Sequence, residues 1–256
     1  MSLKITQILR SGVDRTRERN GLLLVGILFV LSAVSSLLGA GIARYVPEQG
    51  FASPDAAADA LFALPAVGAG VLSLVLAFAS LVVSIAAIRV FVSDETERLP
   101  REAFTRRMGW VVLNAIVGGV VFGIAVAAGF ALLIVPGVFL LVTLAFWTVF
   151  VAVEDRNFLD GFRGSWRLTK GHRFSLLGIG VAVMLATVVV QAVFGIGMVA
   201  GPLLGGLIAA VGSAITSVFS VAVLASAYTE LTAMEADETL GFEEEQSPST
   251  SGREAI

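Results

Sequence analysis

Met108–Val153 reads MGWVVLNAIVGGVVFGIAVAAGFALLIVPGVFLLVTLAFWTVFVAV, 46 residues without one charged side chain. A helix rises about 1.5 Å per residue and the hydrocarbon core of a bilayer is about 30 Å thick, so about 20 apolar residues make one crossing. This stretch is too long for one crossing and long enough for two. Backbone inside hydrocarbon must satisfy its own hydrogen bonds, which makes each arm a helix. Proline lacks the N–H that a helix interior needs and glycine accepts a positive φ, so Pro136-Gly137 is the expected turn between the arms.

Outward from this hairpin, three more charge-free blocks run from Asn20 to Ala43, Ala60 to Ile88 and Phe174 to Thr229, with 24, 29 and 56 residues. The first two hold one crossing each. The third holds two, divided at Gly201-Pro202. The expected fold is all-α, an integral membrane bundle of about six transmembrane helices with interfacial amphipathic helices. The spans fall near residues 21–43, 65–90, 109–135, 137–153, 174–200 and 202–230. The arm 137–153 is short: it either crosses nearly upright or forms part of a re-entrant hairpin. The first apolar run, Leu22 to Ala43, exceeds the roughly 7 to 15 residues of a signal-peptide core, so it reads as a retained span. Ala52 to Leu64 reads as a short helix outside the membrane, with Ser53 as its cap and Pro54 at its first position.

The composition agrees. Of 256 residues, 57% are hydrophobic and only 14% charged, against roughly 25% charged in soluble domains. Mean hydropathy is +0.91. There is no cysteine, which excludes disulfides and thiolate metal sites. Net charge is −3, but the charges are segregated. Lys4, Arg10, Arg15, Arg17 and Arg19 precede the first span; Arg89, Arg98, Arg101, Arg106 and Arg107 follow the second; Arg156, Arg163, Arg167, Lys170 and Arg173 follow the fourth. An even number of spans puts these three segments on one face, and the positive-inside rule makes that face cytoplasmic. The expected location is the cell membrane, multi-pass, with both termini in the cytoplasm.

Two cationic segments have a helical face. Ile5, Ile8, Leu9 and Val13 line up at helical spacing, and so do Phe158, Leu159, Phe162 and Trp166, the latter beside Arg156, Arg163, Arg167 and Lys170. Guanidinium groups at headgroup depth attract phosphates, each cation contributing about 1 kcal/mol near an anionic surface. The expected lipid-headgroup residues are therefore Arg106, Arg107, Arg156, Arg163, Trp166, Arg167 and Lys170, and the expected partners are membrane lipids, with a homo-oligomer or a membrane-protein partner open and nucleic acid not expected.

Catalytic chemistry is not visible. No ionisable group is expected deep in a span, which argues against ion-coupled transport. Asn114, Thr143, Thr187 and Gln191 fit interhelical hydrogen bonds. His172, the single histidine, reads as an interfacial residue. The pairs Gly119 with Gly123, and Gly197 with Gly201 and Gly205, suit close helix packing. No cofactor, metal or enzyme activity is expected. The tail from about Gly241 to Ile256 is acidic and reads as disordered. A non-enzymatic scaffold or anionic-lipid-interacting protein is the leading expectation, and a permease for a neutral or lipidic substrate is the alternative.

Ile134-Val-Pro136-Gly137-Val-Phe, then Glu154-Asp155, then Asp160-Gly-Phe-Arg-Gly-Ser165-Trp-Arg-Leu168-Thr-Lys-Gly171 resembles a group of uncharacterised prokaryotic membrane proteins, similar to the membrane domain of some glycerophosphoryl diester phosphodiesterases. Pro136, Gly137, Ser165, Leu168 and Gly171 carry the likeness. The phosphodiesterase barrel itself takes about 250 residues more, so the resemblance implies architecture and no catalytic residue.

Overall fold

The computed structural model describes residues 4–42, 66–93 and 100–246. The expected helix Ala52–Leu64 and residues 247–256 of the tail lie outside the described residues. Ten α-helices are described: α1 Ile5–Arg17, α2 Arg19–Ile42, α3 Ala66–Ser93, α4 Arg101–Thr105, α5 Met108–Leu132, α6 Ile134–Thr143, α7 Trp147–Val153, α8 Phe158–Leu168, α9 Arg173–Gly195 and α10 Pro202–Gln246. The protein is an all-α bundle, and six segments among the described residues are long and apolar enough to cross a membrane: Arg19–Leu38, Gly70–Ser93, Met108–Leu132, Ile134–Val153, Arg173–Gly195 and Leu204–Asp237.

Small residues let α2, α3 and α10 approach closely. Leu24 and Leu28 of α2, Val83 and Ala87 of α3, and Ala214, Val218 and Ala222 of α10 form one buried cluster. A 3₁₀ turn, Ile196–Ala200, joins α9 to α10. Gly201 takes φ +95° there, a conformation costly to any residue with a Cβ, and Pro202 fills the first helical position, where its missing N–H costs nothing. The division at Gly201-Pro202 is therefore where the sequence places it. With 45 residues, α10 is about 68 Å long, more than twice a hydrocarbon core. It extends six residues into the stretch read as a disordered tail.

The other turn is displaced. α5 ends at Leu132, Leu133 is extended at φ −164°, and Pro136-Gly137 lies inside the first turn of α6. First-turn N–H groups have no intrahelical acceptor, so proline is harmless there. Gly137 serves packing instead: a Cβ on it would stand 2.5 Å from the Phe130 ring, and one on Gly129 would stand 2.9 Å from Gly137 Cα. Farther along, the neighbour that α5 needs small is Gly118, where a Cβ would meet Trp147 at 2.5 Å and Phe158 at 2.7 Å. A Cβ on Gly119 or Gly123, the pair expected to pack, meets nothing within 4 Å.

The fourth apolar segment is broken into α6 and α7 and laid across the bundle. It meets three helices in turn: Ala152 accepts a hydrogen bond from Arg89 of α3, Phe150 and Phe146 pack on Tyr228 of α10, and Val138, Phe139 and Val142 share a groove with Arg173 and Leu177 of α9. Ile134 and Val135 line that groove too, so the tip of the hairpin lies beside the start of α9. A segment standing straight across, tip on the far side, would separate Val138 from Leu177 by most of the roughly 30 Å core. In this cysteine-free chain, a Val138→Cys/Leu177→Cys pair is expected to be joined by a short bis-maleimide; a monodisperse double variant that yields no cross-link refutes the placement.

The face of α1 is turned inward in part, since Val13 is 37% exposed. Ile8 is 1% exposed, Gly12 is pressed against Val223 of α10, and the Arg15 guanidinium donates to the Phe91 carbonyl at the end of α3.

Candidate functional site

The site grows from two adjacent carboxylates that end the fourth apolar segment. Asp155 is in the left-handed region, φ 53°, which Asp tolerates better than most residues. This turns its carboxylate back between two arginines: Arg89 Nη2 donates to Oδ1 at 3.0 Å, and Arg106 Nε donates to Oδ2 at 2.9 Å. Arg89 also donates through Nε to Ala152 O at 2.6 Å and through Nη1 to Ala103 O at 3.1 Å. One guanidinium thus fastens the end of α3 to α4 and to the end of α7. Arg89 and Asp155 are each only 8% exposed by side chain, and the sequence puts Arg89 at the end of the second span. Glu154 works alongside, accepting from the Tyr228 hydroxyl at 2.7 Å and pairing with Arg156 at 2.6 Å.

α8 starts from a local cap. Asn157 Oδ1 accepts from the Asp160 N–H at 2.8 Å, and Asn114 of α5 accepts from the Phe158 N–H at 3.1 Å. The side of α8 that packs is made of the small residues Gly161, Gly164 and Ser165, with Leu168 buried beyond them. The Gly164 Cα approaches the Phe150 ring closely enough that a Cβ would stand 3.1 Å from it. The expected aromatic stripe divides. Phe158 and Phe162 pack on one another, and Phe162 also packs on Trp147, whereas Leu159 and Trp166 are 52% and 45% exposed.

Ser165 repairs the break between α6 and α7. At that break Ala145 N–H takes Val142 O and Trp147 N–H takes Leu144 O, leaving Phe146 N–H and Thr143 O without their regular helical partners. Ser165 Oγ accepts from Phe146 N–H at 3.1 Å and donates to Thr143 O at 2.9 Å; Thr169 Oγ1 reaches the same carbonyl at 3.3 Å. Gly171, at φ +90°, then reverses the chain into α9, a conformation that favours glycine.

The expected headgroup residues all lie on α4, α8 and their adjoining turns, but most have acidic neighbours. Arg106 faces Asp155 at 2.8 Å, Arg156 faces Glu154, Arg163 faces Asp160 at 3.4 Å and Arg167 faces Glu235 of α10 at 3.6 Å. Arg107, in the left-handed region at φ 45°, and Lys170 are exposed. Trp166 stacks edge-on against Phe139 at 5.5 Å. Arg173, not among the residues singled out, lies over both rings, 4.8 Å from Phe139 and 5.1 Å from Trp166.

A family model described as a domain of unknown function, DUF7847, matches residues 3–231. The chain belongs to the DUF7847 family. The DUF7847 match runs from α1 into α10 and takes in every residue of the clusters above except Glu235. Neither a curated protein nor a solved structure matches the chain.

Proposed function

We propose that this multi-pass protein is a non-enzymatic component of the cell membrane that gathers anionic lipid along its cationic end, with that end and both termini in the cytoplasm. One observation carries the reading. α8 seals its small-residue side against α7 and presents Leu159, Arg163, Trp166 and Arg167 outward, the two arginine side chains 81% and 68% exposed. Exposed ion pairs contribute only about 0–1 kcal/mol, so Arg163 and Arg167 can exchange Asp160 and Glu235 for lipid phosphate at small cost. The alternative, a permease, draws on the four polar residues of the spans, and three of them have protein partners. Asn114 bonds Trp110 and Phe158, Thr143 bonds Phe139, and Gln191 bonds Ser213. The likeness to the membrane domain of glycerophosphoryl diester phosphodiesterases adds architecture alone and has no support from the family match.

The test uses protein reconstituted in vesicles with spin-labelled phosphatidylglycerol or phosphatidylcholine. Each cation contributes up to about 1 kcal/mol, a factor of about five. Neutralising Arg163, Arg167 and Lys170 together to glutamine is expected to reduce the preference for phosphatidylglycerol at least fivefold. An unchanged preference rejects the reading.

A further inference from the structure

At the cationic end, five arginines have acidic partners, while Arg101, Arg107 and Lys170 are exposed. Arg89 and Arg106 share Asp155, Arg156 has Glu154, Arg163 has Asp160 and Arg167 has Glu235. Arg173 differs. It has no acidic partner among the described residues, its Nε is buried without a hydrogen-bond partner, and its planar group lies over both the Phe139 and the Trp166 rings. Stacking fixes the plane of a guanidinium and leaves its charge uncompensated, an unfavourable state beside apolar surface unless a counter-charge arrives.

The surroundings say what brings that charge. Arg173 stands at the edge of a groove of about 480 Å³ whose remaining lining is carbon: Ile134, Val135, Val138, Val142, Phe174 and Leu177, with Phe139 beneath the cation. Several of these walls face outward, Phe174 at 90% exposure and Val135 at 76%. The volume lies in the range of small-molecule sites, roughly 300–1,000 Å³. A soluble anion would leave the apolar walls uncovered, and a neutral lipid would leave the guanidinium unpaired. A molecule that is anionic at one end and hydrocarbon along the rest satisfies both.

We infer that this groove holds one anionic phospholipid, its acyl chain between α6 and α9 and its phosphate on Arg173. Arginine suits the role because its fork of donors meets two phosphate oxygens at once, and Phe139 and Trp166 orient that fork in advance. This site rests on the reading that the protein takes anionic lipid at its cationic end, and it adds to the exposed layer a single stoichiometric position. The two are separable, since Arg163, Arg167 and Lys170 do not line the groove.

Native mass spectrometry of delipidated protein in mild detergent tests it, with phosphatidylglycerol, phosphatidylcholine and glycerol phosphate as probes. One phosphatidylglycerol is expected to remain bound under conditions that strip phosphatidylcholine. Arg173→Gln is expected to weaken that binding about tenfold or more, the loss of a charge-assisted contact, and Arg173→Lys to restore part of it. Val138→Trp, which fills the groove and leaves the cation in place, should weaken it as well, so the test survives if Arg173→Gln does not fold. The triple glutamine variant at Arg163, Arg167 and Lys170 should keep its single bound lipid even where its bulk lipid preference is lost. Equal retention of both phospholipids, undiminished binding by folded Arg173→Gln or Val138→Trp, or displacement by glycerol phosphate alone overturns the inference.

Discussion

Asp155→Asn is expected to lower the stability of the folded bundle by about 3–5 kcal/mol, the loss typical when one member of a buried ion pair is removed and its partner stays behind uncompensated. The partner is Arg89, 8% exposed and fastened to Ala152 and Ala103 by two further hydrogen bonds, so it cannot swing into solvent without releasing α4 and α7. Asparagine separates charge from conformation because, like aspartate, it tolerates the left-handed backbone that Asp155 adopts. Asp155→Ala loses the charge and adds backbone strain on the order of 1–3 kcal/mol, and should be the worse of the two. Replacing both partners is different in kind: Arg89→Met with Asp155→Asn leaves no uncompensated buried charge, and buried pairs exchanged for apolar groups are often near neutral. The double variant should therefore recover part of the loss. An SDS unfolding titration followed by circular dichroism measures all four proteins; midpoints for Asp155→Asn and the unmodified chain that coincide would dispose of the lock.

How much of this was legible in the sequence depended on whether the deciding force was local. Hydrophobic length sums over about 20 consecutive residues, so the apolar segments were readable from Met108–Val153 and its counterparts without knowing what touches what. Gly201-Pro202 was readable for the same reason: a positive φ and a first-position proline are properties of adjacent residues. Pro136-Gly137 has the same composition and a different job, since a proline in a first helical turn and a glycine under an aromatic ring look, in one dimension, like a turn. Only the position of Phe130 against Gly137 separates the two. Arg89 was legible as the end of the second span but not as a buried partner of Asp155. It follows the charge-free block ending at Ile88, and nothing nearby says that Asp155, far along the chain, will meet it inside the fold. The cationic layer was visible as clustering, but its balance was not, because the acids that answer Arg106 and Arg167 come from Asp155 and from Glu235 on α10. The adjacent acids Glu154 and Asp155, at the boundary between an apolar block and a basic one, were the available signal.

Ser165→Ala should open the junction between α6 and α7. The serine hydroxyl is a two-way splice, receiving Phe146 N–H and giving its proton to Thr143 O, and the residue is fully buried. Alanine removes both bonds at little change in size. Thr143 O retains the Thr169 hydroxyl at 3.3 Å, but Phe146 N–H loses its acceptor, and Val142 O already serves Ala145. Side-chain bonds between membrane helices average about 0.6 kcal/mol because the groups find other partners when the helices part. A buried N–H with no alternative falls nearer the full desolvation cost of about 1–3 kcal/mol, and that is the loss expected here. Thr169→Val added to Ser165→Ala strips the carbonyl as well, and the two losses should exceed their sum because each substitution removes the substitute partner for the other. The effect is local before it is global. Amide exchange at Phe146 and Trp147 should accelerate in Ser165→Ala while exchange in α2 and α10, which share no bond with Ser165, stays unchanged. Acceleration spread evenly over all helices would mean that the serine contributes only to general packing and that the break in α6–α7 is held by something else.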